Sequence, residues 1–160
     1  MPSLYPAPTE QDFETVLAGL VTAPTHVARV TPEPQREPTG IIAEYVTEGD
    51  VLAAIAFADH DAVNFLGGVL AAVEAGTIQE ISGSSKLHEA AVERFREVAT
   101  GFGSSLNSEY TPALRLADVH QLPGELSEEI KLLWRRPRGK RGFRVTVDEY
   151  GAGTVILFLN

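Results

Sequence analysis

The chain has no cysteine, and its lack of thiols excludes both a disulfide framework and a thiolate metal site. It is also poor in positive charge. Thirteen Lys and Arg stand against 22 Asp and Glu, a formal net charge of −9. That balance excludes a general binder of nucleic acid or anionic membranes, since both need cations facing phosphates. Long apolar runs are missing too. The longest, Val51 to Ala58, is far short of the roughly 20 residues a membrane helix needs. The N-terminus carries neither a basic region nor an apolar stretch of the secretory kind. A cytoplasmic protein without a membrane segment is the expectation. What is present is 160 residues with 44% hydrophobic content, enough for one ordinary core.

Residues 1–8 hold three prolines and are expected to form a disordered tail, leaving residues 9–160 as a single domain. Thr9 is a candidate N-cap for a helix from about Glu10 to Val21, with Phe13, Val16, Leu17 and Leu20 at helical spacing. Strands are predicted at His26–Thr31, Gly40–Val46 and Val51–Ala58, the last apolar on both faces and therefore central. Asp59 or Asp61 can cap a second helix from Ala62 to about Ala75, with Gly76 as its C′ residue. Gly67 and Gly68 inside it imply close approach by another backbone, because each glycine costs a helix about 1 kcal/mol. A loop follows at residues 82–86, then a third helix from Leu87 to Leu106. A fourth strand is expected at Thr111–Val119. Leu126–Trp134 reads as either a short helix or a bridging segment. Phe143–Val147 and Thr154–Leu159, joined through Tyr150 to Gly153, form a closing hairpin. Hairpins mixed with helices define an α+β fold: a largely antiparallel sheet with two long helices packed on one face.

The third helix has the clearest amphipathic pattern. Leu87, Ala91, Phe95, Val98, Phe102 and Leu106 fall within about 100° of each other on a helical wheel. Glu93, Glu97 and Thr100 form one strip opposite, at about 240°, 280° and 220°. A glutamate pair at this spacing also occurs on ordinary solvated helix faces, and Glu125 with Glu129 repeats it elsewhere. Thr100 has a local option as well, bonding back to the carbonyl four residues earlier.

The strip resembles the motif of the CheC/CheX/FliY family of chemotaxis phosphatases. That motif is Asp, Ser or a similar polar residue, three residues, Glu, two residues, Asn, then 22 residues and Pro. Glu93, Glu97, Thr100 and Pro123 stand at those positions. The order of elements and the Gly-x-Gly-apolar ending also follow the family, so the resemblance spans roughly residues 10–160. It implies a CheC-like fold and hydrolysis of the aspartyl phosphate on CheY-like response-regulator receivers. Glu97 would pair with the receiver's lysine, Thr100 would position water and Glu93 would support them. The chain would need no cofactor of its own, Mg²⁺ residing on the receiver. The single motif resembles the CheX type, and the family pattern makes a homodimer one option.

Thr100 departs from the motif. A carboxamide presents two polar atoms on a longer reach, whereas threonine presents one hydroxyl. Misplacement by about 1 Å can cost on the order of 100-fold in rate. The departure leaves two alternatives beside a slow phosphatase: a non-catalytic signalling module that kept the fold, and an unrelated α+β domain. No other asparagine restores the motif, since Asn64 and Asn107 have Asp61 and Ser104 three residues before them.

Other candidates carry less. The four histidines show no metal-pair spacing, and Asp59-His60-Asp61 reads as a helix cap. Charge is unevenly placed: residues 1–134 sum to −13 and residues 135–160 to +4. Six basic residues lie between Arg135 and Arg144, a segment expected to be a solvated loop or a docking patch for an acidic partner.

Overall fold

A computed structural model of the chain describes residues 5–33, 38–107, 111 and 113–160. Its elements are α1 (Glu10–Leu20), β1 (Thr25–Val30), β2 (Gly40–Val46), β3 (Leu52–Asp59), α2 (His60–Leu70), α3 (Ala75–Gly83), α4 (Glu89–Ser104), β4 (Arg115–Leu122), α5 (Glu128–Arg135), β5 (Gly139–Val147) and β6 (Gly151–Leu159). The six strands form one antiparallel sheet in the order β1-β5-β6-β3-β2-β4. The α+β expectation holds. The apolar last strand is central: β6 is paired on both sides, with β5 and β3, and the free edges belong to β1 and β4.

Alternation along the strands divides the apolar residues between two cores. On one face Tyr45, Phe143 and Leu157 pack with Phe13 and Leu17 of α1, Leu66 of α2, and Phe95 and Phe102 of α4. Phe13 stacks on Phe102 at 4.7 Å and meets Phe143 at 4.4 Å, so one ring joins α1, α4 and β5. On the other face α5 brings Ile130 and Leu133 onto Ile42, Ile55, Phe57, Ile156 and Phe158.

The capping chemistry follows the sequence closely. Thr9 and Asp12 form a reciprocal capping box at the start of α1. Asp59 caps α2, accepting from Ala62 N at 2.8 Å, and also accepts from Thr154 N of β6 at 3.1 Å. Ser127 caps α5, which settles the ambiguous segment as a helix.

Gly67 shows why α2 tolerates glycine. A Cβ there would collide with the Ala91 carbonyl of α4, so the two backbones touch. Gly68 faces a different neighbour, the Ile78 side chain of α3.

Four expectations need correction. The second helix does not continue to Ala75: it ends at Leu70, Ala72 takes φ +55°, and a separate helix, α3, begins at Ala75. The Ala-rich sequence hides this break, at which Val73 N donates to Gly68 O at 3.0 Å and the distant Tyr150 Oη donates to Val73 O at 2.7 Å. The fourth strand lies later than expected, at Arg115–Leu122, because it takes its register from β2, with Gly40 opposite Leu122. The basic segment is not a loop throughout, since Gly139–Arg144 is the first part of β5, paired with β6 from Gly139 and with β1 from Gly142. The expected tail is only partly outside the described residues. Residues 5–8 lie against the domain, with Tyr5 buried and an Arg141 Nη donating to Pro8 O at 3.1 Å.

Two glycine substitutions separate packing from propensity. Gly67→Ala is expected to destabilise the protein by about 1–3 kcal/mol, because backbone rather than a movable side chain stands in the way. Gly19→Ala meets nothing and is expected to stabilise α1 by up to about 1 kcal/mol. Urea unfolding of both variants measures the difference.

Candidate functional site

The strip on α4 begins with the helix itself. His88 supplies the N-cap, its Nδ1 accepting from Ala90 N at 3.1 Å. Ala91, Phe95, Val98 and Phe102 are buried along one side. That packing leaves Glu93, Glu97 and Thr100 exposed together on the other side. The helix is held in depth by Tyr45 of β2, fully buried, whose hydroxyl donates to Ala99 O at 2.5 Å. Burial raises the Tyr45 phenol well above its ordinary range, so it stays a neutral donor. The bond falls one residue before Thr100. At the Gly103 position a side chain would strike the Tyr45 ring, which fixes the same turn a second time.

Two of the three strip residues have partners on their own helix. Glu97 Oε1 pairs with Arg94 at 2.9 Å, both side chains being about half exposed at 50% and 47%. Arg94 also donates to Leu70 O at the end of α2, at 3.3 Å. An exposed pair of this kind is worth about 0–1 kcal/mol, so Glu97 can exchange it for another cation at little cost. The Thr100 hydroxyl donates to Arg96 O at 2.9 Å. Its single proton is therefore spent within the helix, and only acceptor capacity faces outward. Thr100 and Arg96 line a cavity of about 500 Å³ with Ser104, Asn107, Leu114 and Arg115.

Pro123 lies elsewhere. Thr100 adjoins the start of β4, at Leu114–Leu116, and Pro123 follows its far end. The eight residues of β4 lie between them, a span of about 24 Å from Arg115 to Leu122 at about 3.4 Å per step. Pro123 lines a groove against α5 instead.

The remaining sequence candidates are structural in their contacts. Asn64 is fully buried and joins three segments, donating to Lys86 O at 2.7 Å and accepting from His88 N at 2.8 Å. Its Nδ2 also donates to Ser82 Oγ, and Ser82 donates to Asp61 at 2.5 Å. This network pins α3 and the start of α4 to α2, and nothing in local patterning announced it. Among the described residues no group of three or more His, Asp and Glu could hold a metal ion, and no helix is long and apolar enough to cross a membrane.

No protein-family model matches the chain, and no curated protein matches it by sequence. Solved structures do match by shape. FliM of Helicobacter pylori, in complex with SpeE, superposes with a TM-score of 0.64 at 4% identity, over 94% of this chain and 80% of that one. FliY of Thermotoga maritima gives 0.57 at 11% identity, over 92% and 82%. CheX of Borrelia burgdorferi, in complex with CheY, BeF₃ and Mg²⁺, gives 0.55 at 12% identity, over 94% of both chains.

The fold is that of CheX, FliY and FliM.

In that architecture α4 buries one side in the helical core and turns Glu93, Glu97 and Thr100 to its exposed side. Within the same frame Asp59 carries a titratable group at a structural joint. Burial raises its carboxyl above 3.8, opposed by the bonds from Ala62 and Thr154. A folded-state pKa above the unfolded one favours the protonated form. The stability it contributes is full below about pH 3.8 and is lost as pH rises through the folded value. Asp59→Asn keeps an acceptor for both amides but cannot ionise. Urea unfolding at about pH 4 and about pH 7 should show the variant gaining on the parent chain at the higher pH. An equal difference at both values would remove Asp59 as a source of pH dependence.

Proposed function

We propose that this chain is a receiver-binding module of a chemotaxis-type signalling system, docking a phosphorylated CheY-like domain on the exposed face of α4 with little or no phosphatase activity. The observation that carries it is the Thr100 hydroxyl bond to Arg96 O, within a strip that is otherwise exposed. Binding and chemistry make different demands on that strip. Docking needs a rigid face with charges that can change partners, and Tyr45 and Gly67 supply the rigidity while Glu97 supplies the charge. Hydrolysis needs a water held in line with the phosphorus, and phosphoryl transfer depends almost wholly on such positioning. Thr100 presents one acceptor atom close to the helix, without the second polar atom of a carboxamide.

In this reading Glu97 leaves Arg94 to pair with a lysine of the receiver, Glu93 adds negative charge beside it, and Mg²⁺ belongs to the receiver. The FliM neighbours, solved with SpeE and with FliG, support the use of the fold as a binding platform. The CheX neighbour, solved with CheY, supports the receiver as the partner class.

The test pairs binding with turnover, using the receivers of the chain's own genome. With BeF₃-activated receivers, the parent chain is expected to bind at least one, and Glu97→Ala to weaken it by roughly 1 kcal/mol or more, about fivefold. Decay of the phosphorylated receiver should be little changed by the parent chain and faster with Thr100→Asn. Marked acceleration by the parent chain, lost in Thr100→Ala, would convert the module into an enzyme. Binding to no receiver at all would sink the proposal.

A further inference from the structure

The face of the sheet opposite α4 carries a second surface, unrelated to the strip. Between α5 and the strand ends lies an open groove of about 660 Å³. Its lining is largely apolar, with Ile42, Leu122, Leu126, Trp134, Pro38 and Pro123. Lys131 and Arg135, one turn apart on α5, stand at its rim.

The cations do not stop at the rim. Arg136, Arg138, Lys140 and Arg144 follow, all exposed. From Lys131 to Arg144 the chain has no acidic residue, although its net charge is −9. Lys131 is paired with Glu128 at 3.2 Å, but among the described residues no carboxylate pairs with Arg135, Arg136, Arg138, Lys140 or Arg144. The row is tied to the groove through aromatic rings. Trp134 stacks on Phe158 at 4.6 Å, and Lys140 Nζ lies 5.1 Å from the centre of the same Phe158 ring. Beside them Leu132 points outward from α5, 54% exposed.

We propose that this groove binds an acidic peptide segment of a partner protein, its apolar side chains against Trp134 and its carboxylates on Arg135 and the cations beyond. The two features select together. An apolar lining with charge at its edge suits an amphipathic ligand. Cations continuing past the groove exceed the reach of a small anion and match carboxylates spaced along a chain. Unpaired cations on a protein this acidic are free to take such a partner without first breaking internal pairs.

Trp134 is the only tryptophan, so its fluorescence reports the groove directly. The full chain is panned against a display library of random short peptides, and enriched peptides are then titrated while Trp134 emission is followed. The expected result is enrichment of Asp and Glu alternating with Leu, Ile or Phe. Those peptides should shift Trp134 emission and bind at least about tenfold more weakly to Arg135→Glu, with affinity falling as salt rises. Enrichment without acidic bias, or enriched peptides that leave Trp134 and the Arg135→Glu comparison unchanged, overturns the proposal. Parallel titrations use GTP and phosphatidylglycerol vesicles. A Trp134 response to either of these with none to acidic peptides also overturns it, assigning the surface to a nucleotide or a lipid.

Discussion

Everything on the helical side of this domain depends on how closely α4 can approach α2. The contact at Gly67 is backbone against backbone, since no side chain fits between that residue and the Ala91 carbonyl. A close crossing brings Phe95, Val98 and Phe102 down onto the sheet, where Phe13 and Phe143 complete the layer. Interiors pack at crystal-like density, so a helix displaced outward by one methyl group would lose contacts along its whole length. Tyr45 sets the remaining degree of freedom by bonding Ala99 O from below. The strip of Glu93, Glu97 and Thr100 is thus presented by a helix that is fixed in depth and rotation.

The two faces of the sheet do different work. The helical face has α1, α2 and α4 above it, and on α4 Arg94 pairs with Glu97. The other face has one helix of eight residues over it, and the leftover space is the groove beside Trp134. The cations accumulate there. Strand β5 explains part of that accumulation. Phe143, Val145 and Val147 turn toward the helical core, so alternation sends Lys140 and Arg144 to the opposite side.

The fold was legible wherever local chemistry and burial agreed. Gly40–Val46 was read to its ends, because Gly40 begins it and a turn at Glu48 to Asp50 follows. The caps at Thr9 and Asp59 were legible as side chains of the right type before an apolar repeat. The break between α2 and α3 was not, because Ala71 to Ala75 favours helix and the bond from Tyr150 to Val73 O there forms only through the fold. The α4 strip was visible as periodicity, and its exposure followed. The state of its members did not: the Thr100 bond to Arg96 was one of two readings, and the Arg94 pair was not foreseen. The groove was missed as a site, although the basic run that borders it stood out.

Sequence alone determined the class of the domain and the face that α4 buries. Those are properties of side-chain type and period, which survive without coordinates. Tertiary structure decided the rest. It parted Thr100 from Pro123 by the length of β4, turned half of the basic run into a strand, and joined Trp134, Arg135 and Lys140 around one groove. Each of these depends on strand pairing between distant residues. Such pairing is settled by the sum of many buried contacts, and no local stretch of the chain encodes that sum.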